Sequence, residues 1–378
     1  MKILISPDAF KGSLTAMEAA IAIEQGVHAW DDTIETVKLP VADGGEGTMT
    51  ALVEATNGRY VSVIVADPLG RLISAQYGVL GNGTTCVIEM AVASGLTLLQ
   101  PNERNPHIAS TYGTGQLIQH ALKQGFKDFI ICLGGSATND GGIGMLRALG
   151  LRLLDVHGQD IPPTIDGIFE LATLDFLNWQ TQLAHCHIRI ACDVQNPLVG
   201  ENGATAIFGP QKGILPHEIA RVDAALTHWA SIVEQHLHIR LHDAVGAGAA
   251  GGMGGALIAF LQGTFQRGID VVLQTMQYEA HLQNVDYIIT GEGQSDAQTL
   301  YGKAPMGIQQ LAKKHHIPVI LLSGMIPQHA QQPLRAQFDY VVAIVDGDIT
   351  QEAAMKHAAA YLQQRATKIT QLITRAAT

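Results

Sequence analysis

Short apolar runs rich in β-branched residues alternate with longer amphipathic runs at both ends of this chain, and few folds accept that alternation. Such a pattern builds strand-helix-strand units, whose strands lie parallel in a sheet covered by helices. In the first unit KILIS is a strand, LTAMEAAIAIEQGVHAW a helix and TIETVKLPV the next strand, with Ser13 or Thr15 placed to cap the helix. VDYIITG, IPVILLSG and FDYVVAIV repeat the strand pattern late in the chain, spaced by helical stretches such as APMGIQQLAKKHH.

Between these ends the pattern changes. From Gly58, GRYVSVIVAD, RLISAQYGVLG and TTCVIEMA follow one another across Gly and Asn turns, as antiparallel strands do. The expectation is an α/β protein in which a doubly wound parallel sheet is interrupted by a large inserted α/β domain. Residues 1–60 plus 285–378 form one domain and residues 61–284 the other. A length of 378 residues agrees, since single cores stop growing beyond about 250–300. The run QEAAMKHAAAYLQQRATKITQLI has helical spacing and no breaker, which predicts one long helix packed on the first domain.

Charge narrows the partners. A formal net charge of −11 gives no general attraction to nucleic acid or to an anionic membrane, so an anionic substrate must be met by local basic groups. No apolar run is long enough to span a bilayer, and MKILISPDAF meets Pro and Asp too soon for a secretory signal. Cys86, Cys132, Cys186 and Cys192 form no CxxC unit, and the histidines lack companions at zinc spacing. These features predict a cytoplasmic protein with reduced cysteines. They leave its oligomeric state open.

The polar and glycine-rich segments fall just past apolar strands: PDAFKGS after KILIS, ADGGEGT after TVKLPV, GGSATNDGG after DFIICL, DVQNP after IRIAC and GEGQSD after DYIIT. In open parallel sheets that edge is where ligands bind. Gly134, Gly135, Ser136, Thr138 and Asn139 in GGSATNDGGIGML offer small side chains, hydroxyls and backbone amides suited to a phosphate. The segment is not the GxxxxGK[ST] pattern of P-loop enzymes, and the alternative is a tight Gly-rich turn. Asp8, Asp43, Glu46, Asp140, Asp193, Glu292 and Asp296 add carboxylates to these loops, and Lys11, Arg71 and Lys303 add cations beside Gly or Pro turns.

Phosphoryl transfer needs such a mixture: Mg²⁺ on the phosphates, one or two carboxylates to hold it, and a group to orient the attacking hydroxyl. A nicotinamide oxidoreductase is disfavoured, because PDAFKGS lacks the GxGxxG turn. A non-catalytic small-anion or nucleotide binding protein is the alternative, although an anion binder has no use for so many acids beside its cradle.

Taken in order, ILISPDAFKGSLTAMEAA, PVADGGEGT, GTGQLI, GGSATNDGGIGML, CDVQNPL, GAGAAGGMGGAL and GEGQSDAQTLYGKAP resemble the type-1 bacterial glycerate kinase family. The resemblance implies two unlike α/β domains, one flavodoxin-like and one inserted into it, with the active site in the cleft between them. It implies ATP and Mg²⁺, D-glycerate as acceptor and 2-phosphoglycerate as product; the residues themselves leave the 2- and 3-hydroxyl undecided.

Carried onto these positions, the resemblance marks Asp8, Lys11 and Ser13 in the first signature and Asp43 and Glu46 in DGGEGT. It marks Asp193 and Asn196 in CDVQNP, and Glu292, Asp296, Gln298 and Lys303 in the last signature. The expected roles are Asp193 as orienting base, with Lys11 and Asp296 also catalytic. Glu292, Asp296 and Asp43 are expected near Mg²⁺, and Lys11 and Lys303 on phosphates. Arg71 is expected on the glycerate carboxylate, with Asp8, Ser13 and Asn196 nearby.

Overall fold

The computed structural model describes residues 1–347 and 349–376. In chain order its strands are β1 (Lys2–Pro7), β2 (Glu35–Lys38), β3 (Arg59–Ala66), β4 (Leu72–Val79), β5 (Thr85–Glu89), β6 (Asp128–Cys132) and β7 (Arg152–Leu154). There follow β8 (Thr173–Asp175), β9 (His187–Ala191), β10 (Thr264–Gln266), β11 (Tyr287–Gly291), β12 (Val319–Ser323) and β13 (Tyr340–Ala343). The chain divides into two compact units. The first comprises Met1–Asp43, Thr50–Ala55 and the chain from Arg267 onward; the second comprises Gly44–Met49 and Thr56–Gln266.

The first unit holds a five-stranded sheet in the order β13-β12-β11-β1-β2, with every pair parallel. Counted within the unit from the β2 edge, that is 2-1-3-4-5, the flavodoxin-like doubly wound order. The sequence explains why the central strands sit inside. Ile3, Leu4 and Ile5 are fully buried, as are Ile288, Ile289 and all of Val319–Ser323, because a parallel sheet covered on both faces needs apolar side chains pointing both ways.

The helix Ala16–Trp30 begins at a reciprocal cap: the Glu18 N–H donates to Thr15 Oγ1 at 3.2 Å and the Thr15 N–H donates to Glu18 Oε2 at 2.8 Å. Its inner face meets the helix Ala358–Ala376 closely. A Cβ on Gly26 would lie 2.3 Å from the Gln363 carbonyl oxygen, so only glycine permits this crossing.

The C-terminal run differs from the single helix its spacing predicts. It forms two helices, Gln351–Lys356 and Ala358–Ala376, separated at His357, whose backbone leaves the helical region. A tertiary bond occupies a carbonyl near the break: Ser13 Oγ donates to the Met355 oxygen at 2.7 Å.

The second unit holds a six-stranded sheet in the order β10-β9-β6-β5-β4-β3, and β7 pairs with β8 separately. β3 pairs antiparallel with β4 and β4 with β5, as their turn-separated sequence implies, and β5, β6, β9 and β10 run parallel. The edge strand β3 is half exposed along most of its length, whereas β5 is buried throughout. Its core is anchored by Tyr77, Phe129 and Trp229, all fully buried.

Candidate active site

In the first unit, loops following β1, β2 and β11 line a pocket of about 250 Å³. Its polar wall carries Asp8, Lys11, Ser13, Asp43, Glu292 and Lys303; its apolar wall includes Met325, Val345 and Met355. Asp8 is buried just beyond β1, where its N–H donates to the Gly291 oxygen at 2.8 Å and its Oδ1 accepts from the Ala9 N–H at 2.6 Å. Burial first, and then the Asp43 carboxylate, hold the Asp8 carboxyl well above the usual carboxylate range.

Glu292, immediately past β11, is buried and accepts hydrogen bonds from Thr299 Oγ1 at 2.6 Å and Ser295 Oγ at 3.1 Å. Lys303 Nζ stands 3.5 Å from its Oε2. Burial raises the Glu292 carboxyl, with Lys303 and the two hydroxyls pulling the other way. Asp296 sits at the N-cap of the short helix Ala297–Leu300. Its Oδ1 accepts from the Gln298 N–H at 2.8 Å and its Oδ2 from Gln294 Nε2 at 3.1 Å.

In the second unit a different set of loops comes together. The 44–48 segment folds on itself: the Gly44 N–H donates to Thr48 Oγ1 at 3.1 Å, and Thr48 Oγ1 donates to the Gly45 oxygen at 2.8 Å. Gly134 lies against it so closely that a Cβ there would sit 2.8 Å from Gly45 Cα. Behind Gly134 and Gly135, the side chains of Ser136, Thr138, Asn139 and Asp140 are buried. Asp140 accepts from the Thr111 N–H and Oγ1, both at 2.8 Å, and from the N–H groups of Gly142 at 3.0 Å and Gly144 at 3.2 Å. The start of the helix Ile143–Ala148 is thus filled by the protein's own carboxylate, and Gly134 and Gly135 are the accessible part of the loop.

The GAGAAGGMGG segment packs on that loop. Gly251, at φ +67°, is so near that a Cβ would lie 2.1 Å from the Thr138 oxygen, and on Gly252 it would lie 2.7 Å from Gly141 Cα. At the end of β9, Asp193 is exposed, while Asn196 Nδ2 donates to the Asn202 oxygen at 2.9 Å. Arg71 occupies the turn between β3 and β4 with its guanidinium engaged: Nε meets Asp67 Oδ2 at 2.5 Å and Nη1 meets Glu103 Oε1 at 2.7 Å.

Two buried carboxylates held above their usual range beside two lysines in the first unit, and glycine-dependent loops at strand ends of the second, are the furnishings of anion chemistry. A family model described as the glycerate kinase family matches residues 3–374. This chain belongs to the glycerate kinase family. Membership makes it a kinase, a phosphotransferase with an alcohol group as acceptor.

Among the relatives of this glycerate kinase family member, the glycerate kinase of Bacillus subtilis (strain 168) is 46% identical over 98% of this chain and 97% of its own. The glycerate 2-kinase of Escherichia coli (strain K12) is 46% identical over 86% of each. A solved structure from Salmonella typhimurium LT2 that bears the name glycerate kinase 2 superposes with a TM-score of 0.88, at 45% identity, over 100% of this chain and 99% of that one.

Of the residues singled out in sequence, Asp8, Lys11, Ser13, Asp43, Glu292 and Lys303 share the pocket of the first unit; Asp296 lies outside its lining, and Gly134, Gly135, Ser136, Thr138, Asn139, Arg71, Asp193 and Asn196 belong to the second unit. Sequence reasoning missed Glu89 and Lys212. Glu89, buried at the end of β5, accepts the Met49 N–H at 2.6 Å and so ties down the 44–49 segment; burial raises its carboxyl. Lys212 is fully buried behind the glycine-rich loop, and burial pushes its ammonium down to about 7. The only sequence signal for Glu89 was an acid closing the apolar run TTCVIE, and Lys212 lies in a PQKG stretch that resembles a solvent-facing turn. Among the described residues no helix is long and apolar enough to cross a membrane, and no three His, Cys, Asp or Glu side chains form a ready-made metal centre.

Proposed function

We infer that this chain catalyses ATP-dependent phosphorylation of D-glycerate to 2-phosphoglycerate in the cytoplasm, by Mg²⁺-assisted in-line transfer that draws on strand-end loops of both units. The observation that carries this reading is the pocket in which Asp8 and Glu292, buried and resistant to ionisation, stand with Asp43, Lys11 and Lys303. The names of the B. subtilis and E. coli relatives support glycerate as substrate, and the latter supports the 2-position.

The donor set fits Mg²⁺. Crowded carboxylates that repel one another gain from a divalent cation, and Mg²⁺ is commonly held by one or two carboxylates together with substrate phosphates. Glu292 and Asp43 are the proposed holders, joined by Asp296 when Gln294 gives up its Oδ2. The ion, when bound, neutralises charge developing on the transferring phosphoryl group.

Lys11 and Lys303 bind phosphate oxygens, and the backbone of Gly134 and Gly135 adds amide donors. Asp8, Ser13 and Asn196 position glycerate. Arg71 would reach a substrate carboxylate only by giving up Asp67 or Glu103. Asp193 orients the acceptor hydroxyl and takes its proton. As the hydroxyl oxygen bonds to the γ-phosphorus, the bond to the β,γ-bridging oxygen breaks and ADP leaves.

The test is turnover of ATP, Mg²⁺ and D-glycerate, with ADP followed continuously and the product identified by phosphorus NMR. Glycerate-dependent ADP and a 2-phosphoglycerate resonance are expected. ATP binding without ADP formation would instead indicate a non-catalytic nucleotide binder, and 3-phosphoglycerate would overturn the assigned position.

A further inference from the structure

Lys212 is a buried cation that the reaction scheme leaves unused. It ends the single turn Pro210–Lys212, is 1% exposed, and donates from Nζ to Ser136 Oγ at 2.8 Å and to the Thr138 oxygen at 2.7 Å. Among the described residues no carboxylate lies within ion-pair distance of it. Asp140 is the acid that acts on it electrostatically, but Asp140 spends its oxygens on Thr111, Gly142 and Gly144. An ammonium buried against neutral acceptors is costly, and replacing it with an apolar side chain would relieve that cost.

The loop it grips has donors and acceptors to spare. Thr138 Oγ1 and Asn139 Oδ1 are buried without a hydrogen-bond partner, and the Gly134 and Gly135 N–H groups find no acceptor among the described residues. Buried polar atoms are normally satisfied, so the buried Thr138 hydroxyl, together with the accessible Gly134 and Gly135 N–H donors, points to a missing acceptor such as an anion, which Asn139 Oδ1, itself an acceptor, would not face. Ser136 and Thr138 flank the bond by which the Ala137 N–H reaches the Ser94 oxygen at 2.9 Å. The clamp therefore sets the path of the chain on which Gly134 and Gly135 are displayed.

We propose that Lys212 is a positioning residue: gripping Ser136 and the Thr138 carbonyl, it holds the Gly134–Asn139 loop open to a nucleotide phosphate. This rests on the assignment of the loop to ATP under the proposed function. Lys212 touches neither substrate; it acts through the loop.

The experiment compares the full-length wild type with Lys212→Met, using hydrogen exchange of residues 133–142 and calorimetric binding of ATP. Expected are at least tenfold faster exchange confined to that loop and at least fivefold weaker ATP binding, with KM for D-glycerate changed less than twofold. Ser136→Ala, which removes one acceptor and buries no new group, serves if the Met variant does not fold, and should show the same pattern at smaller amplitude. Unchanged exchange and ATP affinity in a folded variant would overturn the proposal. So would faster exchange spread evenly over the second unit with both substrates weakened together, the mark of a core residue and nothing more. Because ATP binding is read directly, a wild type that binds ATP yet never phosphorylates glycerate sinks the functional reading while leaving the role of Lys212 intact.

Discussion

Lys303 Nζ lies 3.5 Å from Glu292 Oε2, linking the residue that precedes the helix Ala304–Lys314 to the residue just past β11. The lysine lowers the carboxyl of Glu292, which burial raises. Under the proposed function, a phosphate that draws Lys303 away would leave Glu292 needing another positive partner.

Removing the lysine should therefore change two things. In Lys303→Ala, KM for ATP should rise about tenfold, roughly 1.4 kcal/mol of binding. The acid limb of the kcat/KM profile should also move to higher pH, since the Glu292 carboxyl loses a group that favours its ionised form. Steady-state kinetics across pH check both; an unmoved acid limb would show that ionised Glu292 is not needed.

Asp193 stands exposed at the end of β9, and its replacement disturbs no core packing. Asp193→Asn should lower kcat by about 10²-fold or more while leaving the melting temperature within a degree or two, as expected for loss of a group that orients a nucleophile. Turnover equal to the wild type would remove it from the mechanism.

Arg71 makes the opposite case. With Asp67 and Glu103 filling its fork, Arg71→Lys should leave KM for glycerate and for ATP within about twofold of the wild type. A tenfold rise in KM for glycerate alone would mean that the guanidinium exchanges its partners for the substrate.

The titration of Lys212 carries a sign that denaturation can read. Burial lowers its ammonium from 10.5 in the unfolded chain to about 7 in the folded protein, with Asp140 only partly opposing. Between those values the unfolded state binds the extra proton, so this group makes stability rise with pH, by up to about 1.4 kcal/mol per unit. Below pH 7 both states are protonated and its full cost is present. Urea unfolding of wild type and Lys212→Met at pH 7 and pH 9 should therefore show the wild type gaining on the variant at the higher pH. A gap independent of pH would mean that Lys212 keeps its proton throughout.

What the sequence determined by itself is what depends on near neighbours. The capping box of Thr15 and Glu18, the apolar run of β1 and the antiparallel succession of β3, β4 and β5 follow from side chains a few positions apart, and the fold class follows from their alternation. The strand-end location of the site was legible for the same reason: Asp8 and Glu292 each stand one residue past an apolar strand. Only the tertiary structure decided which of these acids and cations are buried and which are exposed. Asp140 and Asp193 are both acids in loops that follow an apolar strand. Yet one is sealed among four hydrogen bonds and the other is exposed. Arg71 beside its glycine turn reads like Lys11 beside Gly12, but Glu103, thirty-two positions on, claims it. Lys212 reads as a surface turn until the chain brings Ser136 and Thr138, more than seventy residues away, to its ammonium. Burial and long-range partners fix the charge and freedom of a side chain, and neither is written in the residues next to it.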